Sequence, residues 1–512
     1  MKKLILILFS CIQTAISISQ TVSIDFTKHD TVANMVGFLH ATDGIKPNEN
    51  LISPLKPLYW RAGPFGKSVY KRANKMGAKY IQIVSDVYGY PDFKDWTPPY
   101  LDTARFKSLI DKMCLENSTS AMIYDIWNEP DNPVFWSGGI REFYDIFKIA
   151  HDRLRKNLGD SVEISGPSTN IYNKGYLLDF CNFCLQNKIK LDVFSFHWIH
   201  EDHTQNLEEI LLWTRANIVN NPVYAPLKIK KIVVSEILHR AYQFNPAAIL
   251  SHYHYLEKGK ADGACRACWD EQNSQNNCWN NTLNGLLTPD SYSKRSAWWA
   301  TKAYAELDPI RYASTSSSGR VYSMVGNLTS DTNILRVLVG NNNNESVPLP
   351  PKVTVKINSL NKFSNFPADE KLFVNICKIP NTEDLELRTP VVIGQYVLSN
   401  KSASIQLPAF PMEENAVVYV DIISMRNIPA AINSASNDNK LLLFPNPSTN
   451  AVYIFGINNA MNYETVVYNS VGALLTKSKN NNMIDISKFP YGTYFVKIKQ
   501  GSKIYHRKFI KK

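Results

Sequence analysis

The sequence predicts an α/β chain: a (β/α)8 barrel, then an antiparallel β-sandwich, then a small C-terminal all-β domain. Three observations predict it. Between Asn34 and Leu307 a strand-like apolar run precedes a helix-like one eight times. Beyond Leu307 the runs become short and alternating, separated by Asn, Ser, Gly and Pro clusters such as Gly340-Asn341-Asn342-Asn343-Asn344. Residues 440–512 then form a separate basic module behind a polar stretch at 433–439. A length of 512 residues suits about three domains at roughly 150 residues each.

The barrel strands are expected at 35–40, 58–61, 79–85, 121–127, 162–166, 193–198, 231–236 and 263–269. Helical patterns at 103–117, 141–158, 207–218 and 294–306 lie between or after them. Eight such units match the size of a (β/α)8 barrel, typically about 250 residues. A doubly wound sheet rarely needs eight, and no G-x-G-x-x-G follows an early strand. Runs at 320–325, 333–339, 352–357, 371–376, 391–397, 403–406 and 416–422 read as sandwich strands. The early run 21–26 is a candidate to join them from ahead of the barrel. The expected divisions are a signal peptide at 1–19, the barrel at 20–310, the sandwich at 311–425, a linker at 426–439 and the terminal domain at 440–512.

The first residues read as a targeting segment: Lys2-Lys3 precede the apolar run 4–9, and Ser17 and Ser19 suit cleavage before Gln20. That run is far short of the roughly 20 residues a bilayer span needs, and no later run reaches that length. An exported product without a transmembrane segment is expected, secreted or held at the cell surface; anchoring through Cys11 as a lipoprotein is the alternative. The formal charge of +11 could suggest nucleic acid, but its placement excludes a binding groove. Residues 440–512 hold eleven Lys or Arg against two acids, Glu464 and Asp485, a net +9. A basic tail on a neutral body is not a nucleic-acid site.

Cysteine usage adds little chemistry. Besides Cys11 there are Cys114, Cys181, Cys184, Cys265, Cys268, Cys278 and Cys377, too few for a disulfide-built scaffold in this length. Cys181/Cys184 fall on a helical pattern, and Cys265/Cys268 on a strand where positions three apart face opposite sides. Buried small side chains, with a disulfide near Cys268/Cys278, are expected rather than zinc. His197, His200 and His203 lack a helical H-x-x-x-H face, so no metal and no cofactor are expected.

Chemistry belongs at the C-terminal ends of the barrel strands. Glu129 follows Trp127-Asn128 after the fourth strand run, and Glu236 ends Val233-Val234-Ser235 on the seventh. A carboxylate at the end of an apolar strand is costly unless paired, hydrogen-bonded or protonated. Singly, each reads as a structural ion-pair partner; together, on strands whose ends face across a mouth, they suit retaining glycosidic cleavage. That reaction needs two carboxyls about 5–5.5 Å apart, one a proton donor of raised pKa and one an ionised nucleophile.

Trp127-Asn128-Glu129-Pro130 resembles the strand-four signature of clan A glycoside hydrolases, and Ser235-Glu236 resembles the clan's strand-seven nucleophile. The resemblance covers residues 30–307 and implies Glu129 as acid/base, Glu236 as nucleophile and Asn128 as a contact to the sugar 2-hydroxyl. Arg61 is similar to the arginine that contacts the nucleophile, and His197 stands where clan members place His or Tyr. The stretch from Gly285-Leu286-Leu287 to Ser296-Ala297-Trp298-Trp299 is similar to the closing helix. Within the clan, family 39 is the nearest likeness, since a sandwich follows the barrel and Gly166-Pro167 ends the fifth strand. His40 and Asp86 are candidates to hydrogen-bond sugar hydroxyls.

All ten tryptophans lie between Trp60 and Trp299. Trp60, Trp127, Trp198 and Trp269 stand at the ends of alternate strands, where flat indoles suit sugar stacking. Trp269 is the foremost candidate, with Trp136 and Trp96 as loop candidates. Core packing is favoured for Trp213, Trp298 and Trp299.

The terminal module carries Leu442-Leu443-Phe444-Pro445-Asn446-Pro447, Val466-Val467-Tyr468-Asn469-Ser470-Val471-Gly472, Ile484-Asp485-Ile486-Ser487 and Tyr491-Gly492-Thr493-Tyr494-Phe495-Val496-Lys497-Ile498. With its basic end, it resembles the type A sorting domain of the type IX secretion system. The resemblance implies recognition by that machinery and delivery to the surface or medium. The expected function is a secreted retaining glycoside hydrolase acting on a plant or algal polysaccharide or oligosaccharide. The alternatives are a non-catalytic carbohydrate-binding or adhesion protein, a transglycosylase of the same geometry, and an inverting enzyme.

Overall fold

The computed structural model describes residues 20–511 apart from 64–65, 118–121, 272–274, 361–362, 364–365, 367–370, 400–403, 425–440, 445, 449–450, 456 and 458–461. The expected signal peptide, Cys11 and the linker at 426–439 lie outside the described residues. Eight parallel strands close into a barrel in chain order: Gly37–Leu39, Tyr59–Ala62, Lys79–Ile83, Ile123–Asp125, Glu163–Thr169, Val193–Trp198, Lys231–Ile237 and Gly263–Arg266. Phe38 pairs with Arg266, which joins the first strand to the eighth. The eight expected runs are these eight strands. The third run ends early because 84–88 turn into the short helix Val84–Tyr88.

Helices wrap the barrel for the usual reason, an apolar stripe facing the strands. In Ile140–Leu158, Phe143, Ile146, Phe147, Ala150 and Leu154 are buried at helical spacing. Pro246–Lys258 starts from Asn245, whose side-chain oxygen accepts from the Ala247 and Ala248 amides, with Pro246 in the first turn. Ser296–Ala305 follows the eighth strand and is almost wholly buried. It is buried on two sides because the sandwich packs against it.

The sandwich has two sheets. In one, Gln20–Thr31 lies between Ile310–Ser316 and Lys352–Asn358, antiparallel to the first and parallel to the second. The early run therefore belongs to the sandwich sheet although the barrel had been expected to begin at residue 20. Val22 and Ile24 pair with Val355 and Ile357, and all four enter the sandwich core. The other sheet runs Val321–Leu328, Asp331–Asn341, Val417–Ser424, Lys371–Ile379, Val391–Ser399. Its inner face supplies Val325, Leu335, Val337, Val374 and Val420 to the same core. Its outer face supplies Tyr322, Leu338, Phe373 and Tyr419 to the barrel's core. A sheet covered on both faces reads as a nearly continuous apolar run, as Val417–Ser424 does apart from Asp421.

Arg336 fastens this junction. It donates to both oxygens of Asp421 (2.7 and 2.8 Å) and to Glu306 (2.7 Å) at the end of the closing helix. Tyr322 donates to the carbonyl of Ala247 (2.8 Å). The terminal domain is two further antiparallel sheets, of three and four strands, around Leu443, Val452, Ile454, Val467, Val496 and Phe509.

Removing one partner of a buried ion pair strands the other, so Asp421→Ala should cost about 3 kcal/mol in urea unfolding. Glu306 is held down to about 2: burial opposes this, and Lys302 and Arg336 more than offset it. A folded-state value below the unfolded one means stability present above about pH 4.5 and lost as pH falls toward 2. The stability difference between wild type and Glu306→Gln should shrink across that window.

Candidate active site

The site is assembled on the inner face of the barrel. Tyr59, Ile81, Ile123, Val193, Val233 and Cys265 form an apolar cluster, contributed by six strands. Alternate strand residues share a face. Two residues beyond Tyr59 comes Arg61, two beyond Ile123 comes Asp125, and beyond Val193 come Ser195 and then His197. All four are buried. The interior thus turns from an apolar plug into a polar layer toward the C-terminal ends of the strands.

Glu236 joins this layer through an irregularity. Strict alternation from Val233 would face Ser235 inward and Glu236 outward. The register shifts instead: Val234 pairs with Phe196, but Glu236 pairs with His197. The extra residue is a bulge that re-aims the glutamate. Glu129 stands just past the fourth strand with φ 48°, a left-handed conformation uncommon for a side-chain-bearing residue. Its amide donates to the carbonyl of Ser168 (3.0 Å), and the amide of Asn128 donates to Ser85 Oγ (2.9 Å). His40, Ala41, Ser168 and Leu238 also have positive φ, at or near the ends of the first, fifth and seventh strands. Such strain costs on the order of 1–2 kcal/mol per residue and collects where geometry is functional.

Arg61 is the hub. Its Nε donates to Asp125 Oδ2 (2.8 Å), one Nη to Glu236 Oε1 (2.7 Å) and the other to Asn128 Oδ1 (2.8 Å). Burial opposes its charge, and Asp125 and Glu236 more than offset that, so it stays a cation. Asp125 also accepts from Ser168 Oγ (2.6 Å).

The two glutamates have different neighbours. Glu129, 4% exposed, has Oε1 2.8 Å from His197 Nδ1 and accepts from Asn132 at Oε2 (2.7 Å). Burial pushes its carboxyl above the usual range, against the pull of Asn132 and Arg61. Glu236, 8% exposed, is also pushed up by burial, against His197 and Arg61 and with Glu129 adding to the rise. His197 is fully buried, and burial lowers it to about 4. Its Nε2 has no hydrogen-bond partner among the described residues and lies 3.8 Å from Glu236 Oε1.

One atom each of Glu129, His197 and Glu236 lie within 4.8 Å of one another. Carboxyls this close fit the short separation of about 5–5.5 Å better than the 6.5–9.5 Å that leaves room for a water. The three side chains are also near enough to ligate a metal ion, but Arg61 already places a positive charge on the Glu236 oxygen. His200 stands apart from them, 3.2 Å from the Asn170 carbonyl.

Of the expected residues, Arg61, Asn128, Glu129, His197 and Glu236 converge. His40 and Asp86 form a neighbouring pair, Nε2 to Oδ2 3.2 Å. Asp86 also accepts from the Tyr90 hydroxyl. It packs so tightly on Gly63 that a Cβ there would fall 2.0 Å from its own. Trp269 is half-buried, its indole N–H donating to the Leu238 carbonyl (3.0 Å).

Of the other indoles expected to stack sugars, four are buried and one is half-buried. Trp60, Trp127 and Trp198 are buried, because inward or helix-facing positions at these strand ends are filled by packing. Trp136 is buried edge-on against Trp127, ring centroids 4.9 Å apart. Trp96 is half-buried on the Gly89 carbonyl. Cys268 and Cys278 are bonded, and Cys114, Cys181, Cys184, Cys265 and Cys377 are buried free thiols. Sequence reasoning missed Asp125 and Asn132. Asp125 could have been found by stepping back by twos from Glu129 along the strand.

A parallel barrel whose mouth holds two buried, facing glutamates and an arginine on one of them has the architecture of glycoside hydrolases. Residues 86–223 match the model of glycosyl hydrolases family 39. That segment contains Asn128, Glu129 and His197. Residues 442–512 match the secretion system C-terminal sorting domain, which marks the chain for type IX export to the cell surface or medium. A β-xylosidase of Caldicellulosiruptor saccharolyticus is 26% identical over 101 residues, 19% of this chain and 20% of that protein. The chain thus matches about a fifth of the length of that curated relative. Among solved structures, a glucosidase from Croceicoccus marinus aligns with TM-score 0.60 at 13% identity, over 80% of this chain and 99% of that one. A GH39 enzyme from Xanthomonas axonopodis pv. citri aligns with TM-score 0.57 at 12% identity, over 81% and 99%. At these identities the likeness is one of fold. Among the described residues no helix is long and apolar enough to cross a membrane.

A buried, neutral imidazole between two carboxyls should be directly visible. In a nitrogen-15 NMR titration, His197 should stay neutral from pH 8 down to about pH 4, well below the free value of about 6.5.

Proposed function

We propose that this chain is a secreted, retaining glycoside hydrolase that cleaves a plant or algal oligo- or polysaccharide by double displacement, with Glu129 as acid/base and Glu236 as nucleophile. The observation that carries the reading is the unequal surroundings of two carboxyls within 4.8 Å: Arg61 donates to Glu236, whereas Glu129 leans on a neutral histidine.

A guanidinium at 2.7 Å favours the ionised form of Glu236, so the proton the pair retains stays on Glu129. Glu129 gives that proton to the departing oxygen while Glu236 attacks the anomeric carbon. The glycosyl-enzyme is then opened by water, which Glu129, now a carboxylate, deprotonates. His197 suits both states. When Glu129 is ionised, the Nδ1–H donates to it. When Glu129 is protonated, its O–H donates to Nδ1 and the ring proton sits on Nε2, on the side of Glu236. Asn128, its oxygen engaged by Arg61, has only NH2 donors to offer a sugar hydroxyl.

The xylosidase name of the relative makes aryl β-xylosides the first substrates to test, within a wider panel of aryl glycosides and polysaccharides. Export through the terminal domain would bring this active site to carbohydrate outside the cell, the sorting machinery being its partner. Glu236→Gln should lower kcat on the order of 10^5-fold. Glu129→Gln should lose about 10^2–10^4-fold on poor leaving groups and much less on activated aryl glycosides, which depart without a proton. It should also flatten the fall in rate at high pH. No hydrolysis by the wild type across the panel would favour a binding protein, and equal, small losses in both variants would take these two glutamates out of the chemistry. Release of the opposite anomer first, followed by proton NMR, would exclude the retaining course.

A further inference from the structure

Four consecutive residues after the sixth barrel strand, His200, Glu201, Asp202 and His203, are exposed. They follow His197-Trp198-Ile199 directly, at the end of the barrel where the loops form the mouth. An exposed polar loop ordinarily needs no anchor, but this one is gripped from the sandwich. Asn343, just past the sandwich strand Asp331–Asn341, accepts at Oδ1 from the Thr204 amide (3.0 Å) and hydroxyl (3.3 Å). Its Nδ2 donates to the Asp202 carbonyl (3.0 Å). One side-chain amide thus engages a backbone donor and a backbone acceptor of the loop, two residues apart. The grip is braced from both domains. Asn342 is buried; its Nδ2 donates to the Tyr255 hydroxyl (3.0 Å) and the Gly319 carbonyl (2.9 Å), and its Oδ1 accepts from the Asn344 amide (3.1 Å). Thr204 is buried too, its hydroxyl 2.6 Å from that of Ser251. Ser251 and Tyr255 lie four residues apart on the helix Pro246–Lys258, and so on one face of it.

The loop leans toward the side of the mouth that holds Glu129. His200 donates through Nε2 to the Asn170 carbonyl (3.2 Å), beyond the fifth strand. The amides of Asn170 and Ile171 donate in turn to the two oxygens of Asp131 (2.8 and 3.0 Å), two residues beyond Glu129. Burial raises the Glu129 carboxyl, and a protonated His200 is near enough to pull it back. An acid that protonates a leaving group lies beside it, so the sixth loop borders the departing sugar. We propose that Asn343 is a positioning residue: from the sandwich it holds the sixth loop as a wall beside the leaving group, and so sets how tightly a sugar leaving group is bound. The inference rests on the hydrolase reading for what the loop touches, while the hold on the loop can be measured without substrate. The reacting carboxyls have their own partners in Arg61, Asn132 and His197. Freeing the loop therefore adds an ordering cost to binding and leaves the chemical step alone.

The test compares the full wild-type chain with Asn343→Ala, Asn343→Asp and Tyr322→Phe. The last removes another bond between sandwich and barrel, to the Ala247 carbonyl, and leaves Asn343 in place. Hydrogen–deuterium exchange of residues 199–206, followed by mass spectrometry, should be faster in Asn343→Ala and unchanged in Tyr322→Phe. Asn343→Asp keeps the acceptor for Thr204 and should fall between them. Kinetics then use 4-nitrophenyl β-xyloside and xylotriose, or the aryl glycoside and trisaccharide of whichever other sugar the wild type accepts. Asn343→Ala should raise KM for the trisaccharide about tenfold and for the aryl glycoside, with its small leaving group, much less. For both substrates kcat should stay within about twofold. Unchanged exchange, an unchanged trisaccharide KM, a loss confined to kcat, or an equal loss in Tyr322→Phe would overturn the proposal. Faster exchange in Asn343→Ala, with a wild-type chain that hydrolyses no glycoside, would sink the hydrolase reading and leave the anchor standing.

Discussion

Arg61 rises two residues above the apolar plug of the barrel and there donates to Asp125, Asn128 and Glu236 at once. A guanidinium wholly removed from water is costly unless its donors are matched and its charge is balanced. The fourth strand supplies Asp125 for balance and the loop beyond it supplies Asn128. The seventh strand supplies Glu236, which only the bulge brings within reach. The cation thus sets the distance between three strand ends, and the placement of the other residues follows from it.

The same constraint gives the two glutamates different neighbours. Both are desolvated, and burial raises both carboxyls above the usual range. Only one touches the guanidinium; the other rests on His197, whose own burial keeps it neutral. Burial raises both carboxyls and only their neighbours differ; under the proposed reading that difference is how one pocket holds an acid and a base together. Positive φ values at His40, Ala41, Glu129, Ser168 and Leu238 show that backbone strain is accepted at this end of the barrel, where the sandwich and helices hold the strands.

The architecture was legible because each layer has its own period. Apolar strand runs followed by amphipathic helices, repeated eight times, leave few topologies open, and the alternating runs after Leu307 could not continue them. The early strand at 20–31 was readable as a strand, but its place in the sandwich depends on a parallel partner more than 300 residues away. Glu129 stood out as a carboxylate at an apolar strand end, and Asn128 and Arg61 only through the resemblance to clan A glycoside hydrolases. Glu236 stood out equally, yet counting by twos from Val233 would have turned it away from the pocket; a bulge is a property of two strands and is invisible in one. The tryptophans misled for a related reason. Trp127 and Trp136 pack against each other, a contact no spacing reveals.

The central claim is that an oxygen of Glu236, gripped by Arg61, bonds to the anomeric carbon as the glycosidic bond breaks. The most direct measurement is mass spectrometry of the protein after incubation with an activated 2-deoxy-2-fluoro glycoside of whichever sugar it hydrolyses. Slow turnover of the fluorosugar should leave one glycosyl unit attached, and peptide mapping should find it on Glu236. An adduct on another residue, or efficient hydrolysis of the parent glycoside with inverted stereochemistry and no adduct, would contradict the account.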